Sequence, residues 1–127
     1  MTSGDIPGNV LRFIEKHIEA VPHLEALLLL WGHSAQSWTQ EEVSRRIYVD
    51  IDAASRILDH LQRQRLISRS EAVVAEFCYV REENFDVIAE LADAYRRRVV
   101  QIATYIHSHG SSSVREFARA FDLKKDR

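Results

Sequence analysis

The stretch that decides the fold is Thr39-Gln-Glu-Glu-Val-Ser-Arg-Arg-Ile-Tyr-Val-Asp-Ile-Asp-Ala-Ala-Ser-Arg-Ile-Leu-Asp-His-Leu-Gln-Arg-Gln-Arg-Leu-Ile67. Thr39 stands three residues before Glu42, which is a capping box and marks a helix start. Val43 and Ile47 face inward one turn apart. Residues 48–50 read as a turn. Asp50 or Asp52 then caps a second helix with an inward stripe of Ile51, Ala54, Ile57, Leu58 and Leu61. Leu66 and Ile67 leave that helix as a strand.

Working outward, Ser68 to Ala72 reads as a hairpin connection. Val73 to Val80, rich in β-branched and aromatic residues, reads as the returning strand. Two helices around a turn, followed by a hairpin, outline a winged helix-turn-helix. Upstream, Asn9 caps a first helix with Val10, Ile14, His17, Ile18 and Val21 on one face. Pro22 fits the first turn of the next helix, residues 23–31, which is apolar nearly all round and so belongs at the centre of the domain. Downstream, Asn84 opens a single helix to about His107, roughly 35 Å long. Ile88, Leu91, Tyr95, Val99, Ile102 and Ile106 form one seam along it, like a coiled-coil stripe. That stripe needs a partner surface, so residues 84–109 are expected to be a two-fold dimerisation helix. The expected division is 9–83 for the winged domain, 84–109 for this helix, and 110–127 for a tail. In the tail, Ser113 and Glu116 open a short amphipathic helix, and Val114–Leu123, with Phe117 and Phe121, is a candidate docking segment for a protein partner.

Composition narrows the class. The chain has 127 residues, 46% hydrophobic and 28% charged, which fits one mainly α domain with its own core. Cys78 is the only cysteine, so no internal disulfide forms, and a reducing cytoplasm is the expected setting. No secretory leader is read in residues 1–9, and the run Ala26 to Trp31 is too short to span a membrane. Net charge is −2, yet the charge is segregated. Residues 44–70 hold six bases and three acids, and residues 96–127 hold eight bases and three acids. Residues 71–95 hold one base and seven acids.

Residues 23–80 resemble the winged helix-turn-helix of MarR- and PadR-type bacterial transcription regulators. The resemblance rests on Thr39-Gln-Glu-Glu-Val43, Ala54-Ser-Arg-Ile-Leu-Asp-His-Leu61 and Leu66-Ile67. It implies a cytoplasmic homodimer that binds palindromic double-stranded DNA, with terminal helices at the dimer interface. The chain departs from the pattern in three places. The reading helix begins Asp50-Ile-Asp52, where carboxylates suit the helix dipole but oppose phosphates. Arg65 replaces the usual glycine after that helix, so the helix is expected to run on into the strand. The wing tip carries Arg69 but also Glu71.

Two readings of the helix 51–63 face follow. As a DNA reader, it gives base edges to Arg56, His60 and Arg63, with Arg45, Arg46 and Arg69 on phosphates. As a solvated face, it pairs Asp52 with Arg56 and Asp59 with Arg63 at i,i+4. The second reading leaves a winged-helix module that binds another protein. Arg96-Arg97-Arg98 is expected to pair with Glu90 or Asp93 of the same or a partner chain, the alternative being phosphate contact beside the winged domain. Cys78 is expected to be buried and inert, His107 and His109 to suit a helix end, and Trp31, Trp38 and Tyr48 to pack in the core or hinge. There is no glycine-rich phosphate loop, no Ser-His-Asp order and no metal-spaced acid pair, so the reading assigns no catalytic residue, metal ligand or cofactor.

Overall fold

The computed structural model describes residues 6–80 and 84–109. Its elements run α1 (Gly8–His17), α2 (Val21–Gly32), β1 (Trp38–Thr39), α3 (Gln40–Arg46), α4 (Ile51–Arg63), β2 (Ile67–Arg69), β3 (Glu76–Tyr79), α5 (Phe85–Arg97) and α6 (Val99–Ser108). This is a winged helix-turn-helix: α3 and α4 form the helix-turn-helix, and β2 and β3 form the wing. The segment Val114–Leu123 lies outside the described residues.

The capping box of α3 is complete. Thr39 Oγ1 accepts from the Glu42 N–H at 3.1 Å, and Glu42 Oε1 accepts from the Thr39 N–H at 2.9 Å. Asp50 Oδ1 caps α4 through the Ala53 N–H at 2.7 Å. Each cap of this kind is worth about 1 kcal/mol.

Both helices of the motif end in the left-handed region. Tyr48 and Arg65 each have φ of 62°. At the end of α4 the Arg65 N–H bonds the Gln62 carbonyl at 2.9 Å, and the Leu66 N–H bonds the Leu61 carbonyl at 3.1 Å. That is a Schellman motif, sealed by the buried pair Leu61 and Leu66. The helix therefore does not run on into the strand. Arg65 performs the turn that glycine makes elsewhere, at a cost of about 1 kcal/mol or more.

The sheet has three strands in the order β1-β3-β2, all antiparallel. Trp38 pairs with Phe77, and Ile67 pairs with Tyr79. The sequence pattern does not anticipate β1. The returning strand is shorter than expected and begins at Glu76, which leaves Val73 and Val74 exposed at the wing tip.

The apolar helix α2 lies at the centre, with Leu24, Ala26, Leu27 and Leu30 fully buried. α1 contributes Val10, Phe13, Ile14 and His17. Asn9 does not cap α1. Pro7 holds that position, and Asn9 Nδ2 instead donates to Glu90 Oε1 of α5 at 2.7 Å.

The single long helix expected at 84–107 is not observed. It breaks at Arg98 (φ −136°, ψ 49°) into α5 and α6. The break re-aims α6 so that Ile102 and Ile106 enter the same core as Ile88 and Leu91. Tyr105 of α6 then reaches Glu15 of α1 through a hydrogen bond. The seam is accounted for within one chain: Ile88, Leu91, Ile102 and Ile106 are at most 1% exposed, and Tyr95 is half-buried and bonds Glu25 at 3.2 Å. Val99 alone of the six is exposed, and Val100 lies bare beside it. The need for a partner along this stripe is therefore removed. Arg96 and Arg97 both pair with Asp93, as expected.

Candidate nucleic-acid interface

The exposed side of α4 follows from its period of 3.6 residues. Ile51, Ser55, Asp59 and Gln62 line the edge toward the wing, and Asp52, Arg56 and Arg63 occupy the other exposed edge. The first edge borders a groove of about 410 Å³, whose other walls include Gln40 and Glu41 of α3 and Arg69 and Val74 of the wing. Gln40 Nε2 donates to the Ile51 carbonyl at 3.1 Å, tying the starts of α3 and α4 together. A groove bounded by a helix and a hairpin can straddle a strand of duplex, with the helix in the major groove.

Of the residues expected to meet DNA, Arg56 is exposed and makes no ion pair among the described residues. Arg69 lies in the groove and Arg45 is exposed at the end of α3. Arg63 is paired with Asp59 on its own helix, whereas the matching pair Asp52–Arg56 does not form. Arg46 stacks over the Trp38 ring at 5.0 Å and lines a different hollow with Glu25, Leu28 and Tyr95. Tyr48, expected in the core or hinge, is 93% exposed at the turn.

His60 is a correction. It is buried, not outward, because it falls on the helical edge of Ala53 and Ile57. Its Nε2 donates to the His17 carbonyl at 2.7 Å, its Nδ1 lies 3.8 Å from the Glu19 carboxylate, and its ring meets that of His23 in a tilted contact, centroids 4.3 Å apart. It joins α4 to the α1–α2 corner and is unavailable to a base edge.

Ser55 and Gln62 also line this groove, and the sequence reading passes over them. Both are neutral, so a search for arginines passes over them. Their spacing of seven residues on the Ile51 edge is the signal that could have found them.

The charge balance of this face is mixed. Asp50 is occupied as a cap, but Asp52 stands exposed. The groove holds the carboxylates of Glu41 and Asp59 against the guanidinium of Arg69.

The histidines behind α4 form a second cluster. His17 Nδ1 donates to Gln64 Oε1 at 2.8 Å. His23 Nδ1 accepts the Ala20 N–H at 3.0 Å, the backward half of a capping box on α2. Burial, with a smaller push from His60, lowers the His23 pKa to about 4. Burial also lowers that of His17, opposed by the Gln64 bond and helped by Lys16 and His60. Elsewhere, Cys78 is half-buried with its Sγ 3.3 Å from Ser68 Oγ. His109 closes α6 on the Tyr105 carbonyl, and His107 is exposed. No helix among the described residues is long and apolar enough to cross a membrane.

No protein-family model matches this chain, and no curated protein matches it by sequence. Solved structures do match. MepR, a transcription regulator of the Staphylococcus aureus multidrug efflux pump MepA, aligns with a TM-score of 0.52 and 17% identity over 91% of this chain and 84% of that one. A MepR–DNA complex aligns with a TM-score of 0.52 and 12% identity, over 91% of this chain and 87% of that chain. YusO from Bacillus subtilis gives 0.55 and 18%, over 93% and 82% of the two chains. A point mutant of ZitR from Lactococcus lactis gives 0.52 and 17%, over 84% and 73%. At these identities the likeness is one of fold. The winged-helix fold implied by the resemblance to MarR-type regulators is the fold this chain adopts.

Proposed function

We propose that this chain is a DNA-binding transcription regulator that acts as a cytoplasmic homodimer on double-stranded DNA. α4 would enter the major groove, with Arg56, Ser55 and Gln62 toward base edges and Arg45 and Arg69 on phosphates. The observation that carries this reading is the match, over 91% of the chain, to a regulator solved on DNA. Arg56, exposed and in no ion pair among the described residues, supports it, since an arginine guanidinium is the commonest reader of guanine. The exposed Val99 and Val100 on α6 support a dimer contact, for which the buried seam residues are no longer available.

A second reading, a winged-helix module that binds protein, is favoured by one specific feature. The wing tip presents Val73 and Val74 beside Glu71, where a phosphate-gripping wing would present bases.

Fluorescence anisotropy of a labelled duplex from the upstream region of the gene separates the two. The DNA reading expects affinity to fall linearly in log salt, with a slope set by several phosphates. No binding at low salt, even nonspecific, would favour the protein module.

A further inference from the structure

We infer, on the DNA-binding function proposed above, that Ile51 reads the 5-methyl group of thymine and so helps to set which sequence α4 selects. Ile51 is the first residue of α4. By its period it belongs to the apolar stripe of Ala54, Ile57, Leu58 and Leu61. Those four are buried, whereas Ile51 is 44% exposed. The core ends before the stripe does, and Ile51 overhangs it into the groove beside the wing. The other exposed residues of α4 are all polar: Asp52, Ser55, Arg56, Asp59, Gln62 and Arg63. A helical side chain leans toward the helix N-terminus, so at the first position it projects past the helix end. A reading helix meets base edges with that end.

Ile51 is also held still. Gln40 Nε2 donates to its carbonyl at 3.1 Å, and the neighbouring Asp50 caps the Ala53 N–H at 2.7 Å. Its β-branched side chain is stiff at χ1. A fixed aliphatic group cannot hydrogen-bond a base. In the major groove the thymine methyl is its natural partner, since the other bases are told apart there by donors and acceptors. Val74, 65% exposed on the wing wall of the same groove, keeps that side apolar and favours exclusion of water. The contact carries no charge, so it distinguishes sequences without adding to phosphate attraction.

Anisotropy titrations of the full chain test this on a duplex that it selects from a randomised pool. The duplex is made once with thymine and once with deoxyuridine throughout, a replacement that removes only methyl groups. Wild type should bind the deoxyuridine form about fourfold more weakly for each methyl contacted. Ile51→Ala should bind the two forms nearly alike, close to the affinity of wild type for deoxyuridine. Its slope in log salt should match that of wild type, because no phosphate contact is lost. Ile51→Val, which keeps a branched apolar side chain, should keep the discrimination. Equal affinity of wild type for both forms overturns the thymine contact and leaves DNA binding standing. Discrimination undiminished in Ile51→Ala does the same, as does a pool in which no sequence is enriched although duplex is bound. Failure to bind any duplex at low salt removes the DNA-binding function, and the thymine contact with it.

Discussion

Lowering the pH from 7 to 5 should destabilise this fold through His23. In the folded chain the His23 pKa falls from 6.5 to about 4, chiefly by burial. The neutral ring is also the acceptor for the Ala20 N–H, so a proton on Nδ1 removes the bond that opens α2. A group whose folded pKa is depressed binds protons more readily when unfolded. Its contribution is therefore complete above the unfolded value of 6.5 and is lost as pH falls toward 4. Between pH 7 and pH 5 that gap is worth about 2 kcal/mol. His23 keeps part of its surface in solvent, and screening reduces the expected loss to about 1 kcal/mol. The assay is urea unfolding followed by fluorescence of Trp31 and Trp38 at pH 7, 6 and 5. His23→Gln supplies the control, because glutamine at this position can accept the same N–H without titrating. It should hold stability at pH 7 and flatten the slope, leaving a remainder from His17, whose pKa is also lowered by burial. A wild-type chain equally stable at pH 5 and pH 7, or an unchanged slope in His23→Gln, refutes the reasoning.

Other substitutions test separate parts of the structure. Leu91→Ala should cost about 2–5 kcal/mol of monomer stability by chemical denaturation, because Leu91 is fully buried in its own chain. Dissociation of a dimer with unchanged monomer stability would contradict that. Thr39→Ala should cost about 1 kcal/mol through loss of the α3 cap, read as a fall in the urea midpoint. Asp52→Lys should raise affinity for duplex DNA severalfold at low salt if the exposed start of α4 faces phosphates. An unchanged anisotropy titration would place that face elsewhere.

The helix-turn-helix is legible in the sequence because its signals are local. The Thr39–Glu42 box, the Asp50 cap and the stripe Ala54, Ile57, Leu58, Leu61 each lie within one or two turns, and each is realised. What escapes depends on distant contacts. β1 is two residues long and exists only because Trp38 pairs with Phe77. The break at Arg98 has no glycine or proline to announce it. It arises where Ile102 and Ile106 turn into the core. Polarity points His60 outward, although its angle on the helix places it with Ile57. Arg65 misleads because a residue other than glycine takes the left-handed turn. On the candidate face, arginines are legible as charges, but whether each is free is not. Arg56 and Arg63 look alike in sequence, and only the fold separates Arg63, held by Asp59, from Arg56, which makes no ion pair among the described residues.

The most direct test of DNA reading by α4 and the wing is the salt slope of binding, measured by anisotropy for wild type, Arg56→Ala, Arg69→Ala and Arg46→Ala. Arg56→Ala should weaken binding, Arg69→Ala should lower the slope by about one, and Arg46→Ala, stacked on Trp38, should change neither. Absence of salt-dependent binding in wild type, or equal binding by Arg56→Ala and Arg69→Ala, would contradict it.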